Sequence, residues 1–128
     1  MSPVTQPRIL IVDDNELNIE MATFLLSRAG MAVAAALDGN SALAQVQAFA
    51  PDLILMDMQM PGLDGMALTR QLRSQPSARP LAIVAFTAYA MIGDKERFLA
   101  AGCDGYIGKP IDVAKFPDDV RALLPAAP

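Results

Sequence analysis

Short apolar runs recur along the chain and alternate with segments that have helical spacing. The runs predicted as strands are Arg8 to Val12, Met31 to Leu37, Asp52 to Met56, Leu81 to Phe86, and Asp104 to Ile107. The run from Leu53 to Met56 is too short for a helix and is bounded by Pro51 and by Pro61. Such runs are typical of strands that are covered on both faces of a parallel sheet.

The segments that follow these runs predict helices over 15–29, 41–49, 66–73, 92–101 and 112–124. In the first of them an amphipathic stripe is marked by Leu17, Met21, Phe24, Leu25 and Arg28. Apolar stripes of this kind usually face a core. The last segment contains Pro117, which either lies in the first turn of its helix or shortens it.

Five β–α units in succession predict an α/β fold with right-handed crossovers, a parallel sheet and helices on both faces. These units occupy nearly all of the 128 residues, so we expect one domain over 8–124. Residues 1–7 then form an N-terminal extension, and residues 125–128 form a C-terminal tail. No internal repeat suggests a second domain.

Composition narrows the possible functions. A formal net charge of −4 disfavours nucleic-acid binding, and no apolar run approaches the ~20 residues that span a membrane. The first residues lack the layout of a signal peptide, and the single Cys103 cannot form an internal disulfide, so we expect a reduced, cytoplasmic setting. Histidine is absent, which excludes histidine bases, histidine metal ligands and phosphohistidine.

Polar side chains follow four of the predicted strands: Asp13 and Asp14, Asp57, Thr87, and Lys109. Because the carboxyl ends of parallel strands share one edge of a sheet, we expect these residues to converge there. Carboxylates held together repel unless a cation intervenes, and Mg²⁺ prefers oxygen ligands. A lysine and a threonine hydroxyl could stabilise an oxyanion. The set therefore suits phosphoryl transfer to an aspartate from another molecule.

Each of these residues also has a simpler interpretation. Asp13 or Asp14 could cap the first helix, and Asp57 could cap a turn or the next helix. Thr87 could cap a strand end, and Lys109 could be a solvated surface charge. The combination on four separate strand ends favours the chemical interpretation.

The sequence resembles the receiver domain of two-component response regulators from about Arg8 to Leu124. The motifs that carry the resemblance are Ile9-Leu10-Ile11-Val12-Asp13-Asp14-Asn15, Asp52-Leu53-Ile54-Leu55-Met56-Asp57-Met58-Gln59-Met60-Pro61-Gly62-Leu63-Asp64-Gly65, Ala85-Phe86-Thr87-Ala88, and Ala101-Gly102-Cys103-Asp104-Gly105-Tyr106-Ile107-Gly108-Lys109-Pro110. Within the family, the chain is most similar to stand-alone receivers of the DivK type and to the receivers of hybrid histidine kinases.

The resemblance implies a (βα)₅ flavodoxin-like sandwich with a five-stranded parallel sheet of order 2-1-3-4-5. It also implies that Asp57 is the phosphoacceptor. Asp13, Asp14, Asp57 and the backbone carbonyl of Gln59 would hold Mg²⁺ or Mn²⁺.

By the same resemblance, Thr87 and Lys109 contact the phosphoryl group, and Tyr106 occupies the position of the family's switch aromatic. The Lys109–Pro110 peptide is often cis in this family. The implied donor is a sensor histidine kinase or a histidine phosphotransferase, and the output is contact with a downstream protein. The chain would be a switch rather than an enzyme in the usual sense, a monomer or weak homodimer, with no DNA-binding output domain.

The segment from Tyr89 to Ile92 is unusually apolar for a loop beside this edge of the sheet. We expect Tyr89, Met91 and Ile92 to form part of a partner-binding surface. The alternative is that these side chains pack under the following helix.

Three other functions compete with the phosphoacceptor switch as interpretations of these residues. A haloacid-dehalogenase-type phosphatase needs a second acid two residues after its nucleophile, and Gln59 stands there. A flavodoxin-like cofactor binder needs a phosphate-cradling loop after the first strand, where Asp13 and Asp14 would repel a phosphate. A degenerate receiver would work without phosphorylation. The sequence gives no reason to infer one, because it retains Asp13, Asp14, Asp57, Thr87 and Lys109.

Overall fold

The computed structural model describes residues 6–58, 60, 64–74, 81–88 and 94–125. Strands β1 to β5 span Arg8–Val12, Ala32–Ala36, Leu53–Met56, Ala82–Thr87 and Gly105–Gly108. Helices α1 to α5 span Glu16–Arg28, Gly39–Phe49, Gly65–Ser74, Asp94–Ala101 and Phe116–Leu123. The alternation of strands and helices agrees with the pattern predicted from the sequence.

The five strands form one parallel sheet in the order β2-β1-β3-β4-β5. This order confirms the flavodoxin-like topology. β1 and β3 lie side by side at the centre, and the sheet order reverses between them. In open α/β sheets that reversal is where ligand sites form.

Two cores lie on opposite faces of the sheet. On one face, Leu53 and Leu55 pack with side chains of α1 and α5. On the other face, Ile54 and Met56 pack with side chains of α2, α3 and α4. All four side chains of β3 are fully buried, so the strand is covered on both faces, as its uninterrupted apolar run predicts.

The helix ends follow local signals in the sequence. Asn15 caps α1 by accepting a hydrogen bond from the Asn18 N–H at 3.1 Å, so the cap is neither Asp13 nor Asp14. Asp38 caps α2 by accepting a hydrogen bond from the Ser41 N–H at 2.7 Å. This backbone hydrogen bond lowers the pKa of the Asp38 carboxyl below its usual value.

The stripe predicted on α1 is divided in the structure, because Leu25 packs against the core while three of its other apolar side chains do not. Leu17, Met21 and Phe24 are 63%, 38% and 58% exposed. The buried side chains are Ala22 and Leu26 instead. The helix is apolar on two faces, and the face that carries the small Ala22 is the one that packs against the sheet.

Helix α5 begins at Phe116, so the predicted start at residue 112 is wrong. The carbonyl of Asp112 accepts hydrogen bonds from the Lys115 and Phe116 N–H groups, which closes a turn ahead of the helix. Pro117 therefore lies in the first turn, where its missing N–H has no intrahelical partner to lose. This placement is one of the two alternatives that the sequence left open.

Cys103 lies between α4 and β5 and is 5% exposed. Burial raises the pKa of its thiol to about 11, which is well above that of a free cysteine and makes the thiolate scarce at neutral pH. Among the described helices, none has the length and apolar character that crossing a membrane requires.

Candidate functional site

The carboxyl ends of the strands are held at one edge by backbone hydrogen bonds. The Asp57 N–H donates to the Val12 carbonyl at 2.9 Å, which joins the ends of β3 and β1. The Lys109 N–H donates to the Thr87 carbonyl at 2.9 Å, which joins the ends of β5 and β4. The predicted site residues are thus brought together by the ladder of the sheet itself.

Asp13, Asp14 and Asp57 form an acidic cluster at this edge. One carboxylate oxygen from each lies within 4.8 Å of the others. Asp13 is fully buried and Asp57 is 5% exposed, whereas Asp14 is exposed. The carboxylates of Asp13 and Asp57 are therefore enclosed by the protein, whereas the carboxylate of Asp14 is in contact with solvent.

The ammonium group of Lys109 is the cation inside this cluster. Its Nζ lies 2.8 Å from Asp13 Oδ2 and 3.4 Å from Asp57 Oδ2. Nζ also lies 4.8 Å from the ring centroid of Phe86, close enough for a cation–π contact. The Lys109–Pro110 peptide is cis. Lys109 is mostly buried here, so the alternative of a solvated surface charge is excluded.

Thr87 and Tyr106 lie on the same face of neighbouring strands. Thr87 pairs with Gly108, and Ala85 pairs with Tyr106. Thr87 is 1% exposed, whereas Tyr106 is half-buried against the core on the side of α2, α3 and α4. A Cβ added at Gly108 would lie 3.4 Å from the Tyr106 hydroxyl. Gly108 therefore leaves room for the tyrosine to lean along β5 toward the end of the strand.

Four predicted residues lie outside the described part of the chain: Gln59, Tyr89, Met91 and Ile92. The backbone metal ligand at Gln59 and the partner surface at the other three positions remain predictions.

Gly65 supports the site, a role that its place in the sequence did not predict. It is the first residue of α3. A Cβ at this position would lie 2.8 Å from the Asp57 carbonyl oxygen and 3.1 Å from the Met58 Cα. The helix can approach the backbone that carries Asp57 this closely only because Gly65 has no side chain. The available signal was a glycine directly after Asp64, a residue suited to starting a helix.

We expect Gly65→Ala to displace Asp57 and to slow its phosphorylation. The contact is with backbone atoms, which must shift to admit the methyl group, so the fold should lose about 1–3 kcal/mol of stability. Gly105→Ala is the matched control, because its Cβ would also meet an atom at 2.8 Å, but that atom is the Cδ2 of the flexible Leu123 side chain. Urea melts and phosphorylation rates of the two variants provide the comparison. Equal effects at both positions would contradict a backbone clash at Gly65.

Comparison with known proteins agrees with this geometry. The family model described as the response regulator receiver domain matches residues 9–121. The polar-differentiation response regulator DivK of Brucella anthropi is 38% identical over 116 residues, which cover 91% of this chain and 94% of that protein. DivK of Brucella ovis matches to the same extent.

Solved structures give the same fold. The chemotaxis response regulator CheY4 of Vibrio cholerae superposes with a TM-score of 0.86 at 28% identity, covering 94% of this chain and all of that one. A response regulator from Chloroflexus aurantiacus superposes with a TM-score of 0.85 at 32% identity, covering 93% and 98% of the two chains. The chain belongs to the response regulator receiver domain family.

Proposed function

We propose that this chain is a magnesium-dependent phosphoacceptor switch of a two-component phosphorelay. In this proposal Asp57 receives a phosphoryl group in the cytoplasm from a histidine kinase or a histidine phosphotransfer protein. The signalling unit is residues 8–124, acting as a monomer or weak homodimer, and its output is a changed protein-binding surface. The observation that carries the proposal is the cluster of Asp13, Asp14 and Asp57 with Lys109 inside it.

The charge of the cluster suits a divalent cation. The three carboxylates and the Lys109 ammonium together carry a formal charge of −2, and two of the carboxylates, Asp13 and Asp57, are buried. Their oxygens lie close enough together to ligate one ion, and an all-oxygen donor set with one solvent-exposed carboxylate suits Mg²⁺, which usually keeps several waters. When bound, the ion would neutralise charge on the incoming phosphoryl oxygens.

The residues of this chain supply the rest of the chemistry. An ionised Asp57 oxygen attacks phosphorus, a new P–O bond forms, and the bond from phosphorus to the donor's leaving atom breaks. No base is needed, because the carboxylate carries no proton. The Lys109 ammonium lies between Asp13 and Asp57. From there it can form an ion pair with the oxygens of the phosphoryl group that is transferred to Asp57.

Intact-mass spectrometry of the wild type with acetyl phosphate tests the proposal. We expect a phosphoryl adduct when Mg²⁺ is present and none when EDTA replaces it. Peptide mapping after borohydride reduction should place the adduct on Asp57. Beryllofluoride binding provides the second measurement, since it detects a competent site even when the acyl phosphate hydrolyses quickly. No adduct and no beryllofluoride binding by the folded protein would refute the proposal.

The arrangement of Thr87, Gly108 and Tyr106 supports a route from the phosphate to the surface. Phosphorylation adds charge and acceptor oxygens beside the Thr87 position. In our proposal the Thr87 hydroxyl moves toward them, and Tyr106 turns into the space that Thr87 vacates. The result is a population shift between two packings of β5 and its neighbouring helices, and a shift from 1:99 to 99:1 takes roughly 5.5 kcal/mol.

The exposed stripe on α1 suits the docking of the donor. The helix begins directly after the acidic cluster in the chain. Its N-cap residue, Asn15, is linked to the cluster by a hydrogen bond from the Asn15 N–H to Asp13 Oδ1 at 2.9 Å. Leu17, Met21 and Phe24 follow along its exposed side. In our proposal, the donor protein that presents phosphohistidine to Asp57 docks on this stripe, whose exposed side chains can anchor it.

We expect Phe24→Ser to slow phosphotransfer from a histidine kinase that phosphorylates the wild type by about tenfold or more, which is a hot-spot effect. Phosphorylation by acetyl phosphate should be unchanged, since this small donor needs no docking surface. Leu99→Ser is the matched control, because Leu99 is also exposed, at 43%, but lies on α4. Equal losses with both phosphoryl donors would contradict a docking role for the stripe.

A further inference from the structure

The ammonium group of Lys109 contacts an aromatic ring as well as two carboxylates. Its Nζ lies 2.8 Å from Asp13 Oδ2 and 3.4 Å from Asp57 Oδ2. On another side it faces the ring of Phe86, whose centroid lies 4.8 Å from Nζ. The Lys109 side chain is only 13% exposed, so little water screens the attraction between the ammonium and the ring.

The Phe86 ring is fixed in place by packing. Phe86 is fully buried in β4, and its ring centroid lies 5.9 Å from that of Phe116, the first residue of α5. Phe116 is itself 1% exposed, and both rings belong to the core on the side of α1 and α5. A ring enclosed between the sheet and a helix cannot swing away without opening a cavity. Its position is therefore set by the fold and not by the lysine.

The register of β4 and β5 explains why the ring lies under this lysine. Phe86 pairs with Ile107, and both side chains belong to the same core. Lys109 follows two residues after Ile107, which returns the chain to the same face of the sheet. Thr87, the neighbour of Phe86, points to the opposite face for the same reason. The end of β4 thus presents a hydroxyl on one face and an aromatic ring on the other.

The ring differs from the two carboxylates in how a bound divalent cation affects its hold on the ammonium. Asp13 and Asp57 belong to the acidic cluster whose oxygens are close enough together to ligate one ion. An ion on these oxygens repels the ammonium and weakens its attraction to the carboxylates. The attraction of the ring face does not depend on those oxygens. The ring therefore still holds Lys109 beside Asp57 under the conditions that phosphoryl transfer requires.

We propose that Phe86 is a positioning residue for phosphoryl transfer to Asp57. Its ring holds the Lys109 ammonium at the site while the carboxylates ligate the metal, so that the ammonium is in place when the phosphoryl oxygens arrive. The inference deepens the proposed function and rests on it. An aliphatic side chain such as leucine would fill much of the same space in the core, but it would not attract the ammonium.

A series of fluorinated phenylalanines at position 86 of the full chain tests the inference. Each added fluorine withdraws electron density from the ring face and weakens its attraction for a cation, while the shape of the ring is nearly unchanged. We expect the rate of phosphorylation by acetyl phosphate at saturating Mg²⁺ to fall stepwise from phenylalanine to trifluorophenylalanine. The total loss should be about three- to tenfold, as a partly desolvated cation–π contact supports. A rate that stays constant along the series would overturn the inference.

The same series at position 116 is the matched control, because Phe116 is as buried as Phe86 but its ring pairs with Phe86 and not with the ammonium. No stepwise loss of rate is expected there, and equal losses at both positions would overturn the inference. Calorimetry adds a readout without phosphoryl transfer. Phe86→Leu should tighten Mg²⁺ binding, since a less firmly held ammonium competes less for the carboxylates, but it should have no effect in the Lys109→Ala background. The same effect in both backgrounds would mean that Phe86 acts on the fold and not on the lysine.

NMR of the chain with ¹³C-labelled lysine detects the contact directly and separates failure of the inference from failure of the proposed function. The lysines are Lys95, Lys109 and Lys115, so the Lys109 signal is identified by its loss in Lys109→Ala. The ring should shift its ε-methylene protons upfield both in EDTA and at saturating Mg²⁺, and Phe86→Leu should remove the shift. Loss of the shift on adding Mg²⁺ to a chain that is phosphorylated would overturn the inference alone. A persistent shift in a chain that takes no phosphoryl group and binds no beryllofluoride would confirm the contact and refute the proposed function.

Discussion

Asp57→Asn is expected to abolish phosphorylation of the chain by acetyl phosphate while leaving the fold intact. The amide has nearly the volume of the carboxylate, so the buried position stays filled. It carries no charge and lacks the nucleophilic oxygen that must attack phosphorus. Intact-mass spectrometry should therefore show an adduct on the wild type and none on the variant, at the same Mg²⁺ concentration.

The same substitution should not lower the thermal stability of the metal-free protein. Asp57 lies within 4.8 Å of two other carboxylates in oxygen-to-oxygen distance, and removing one negative charge relieves their repulsion. A melting temperature equal to or above that of the wild type, measured in EDTA, is the expected outcome. A large loss of stability would mean that Asp57 serves the fold more than the chemistry.

Asp52→Asn is the matched control for this prediction. Asp52 and Asp57 flank the same strand β3, but Asp52 lies at its amino end and accepts a hydrogen bond from the Arg8 N–H at 2.8 Å. Its substitution should leave phosphorylation by acetyl phosphate unchanged. An adduct that persists in Asp57→Asn would place the acceptor on another carboxylate, and Asp14 would be examined next because it is exposed.

Strands β1 to β4 could be predicted from the sequence because each contains a short, uninterrupted apolar run. Leu53 to Met56 is the clearest case, since a run of four with proline on both sides cannot extend into a helix. The placement of polar residues after these runs predicted their convergence, because a parallel sheet brings all its carboxyl ends to one edge. The acidic cluster and Lys109 therefore followed from topology alone.

Helix faces were harder to predict because α1 is apolar on two sides. Leu17, Met21 and Phe24 have the larger side chains, so periodicity favours their face. The sheet selects the other face, where Ala22 lets the helix pack closely and Leu26 fills the core. Volume and distance decide this choice, and neither is visible in a pattern of apolar positions.

The role of Gly65 and the start of α5 were also hard to predict, because both depend on distances in the folded chain. The close approach of Gly65 to the Asp57 carbonyl brings a helix start against a strand end, and a Cβ added at Gly65 would lie 2.8 Å from that oxygen. Before α5 begins at Phe116, the Asp112 carbonyl accepts hydrogen bonds from the Lys115 and Phe116 N–H groups and closes a turn. A sequence shows that these residues are suited to turns, but it does not show where the chain passes closest to itself.

Lys109→Ala is expected to change magnesium affinity and phosphorylation in opposite directions. The lysine ammonium lies 2.8 Å from Asp13 and 3.4 Å from Asp57, so it competes with a cation for the same oxygens. Removing it should tighten Mg²⁺ binding by at least about tenfold, because Coulomb repulsion at such distances is several kcal/mol in a partly buried site. Isothermal titration calorimetry measures this affinity directly.

The rate of phosphorylation in Lys109→Ala should fall on the order of 10²-fold, because a charged donor that stabilises the transferring phosphoryl oxygens is lost. Rates must be compared at saturating Mg²⁺, so that tighter metal binding cannot mask the loss. Lys115→Ala, which removes an exposed lysine outside the cluster, should alter neither quantity.

Weaker Mg²⁺ binding in Lys109→Ala would show that the lysine organises the carboxylates rather than competing for them, and an unchanged rate would remove it from the transfer step. Opposite changes are therefore the specific signature of a lysine that holds the metal-free cluster together and then stabilises the phosphoryl group.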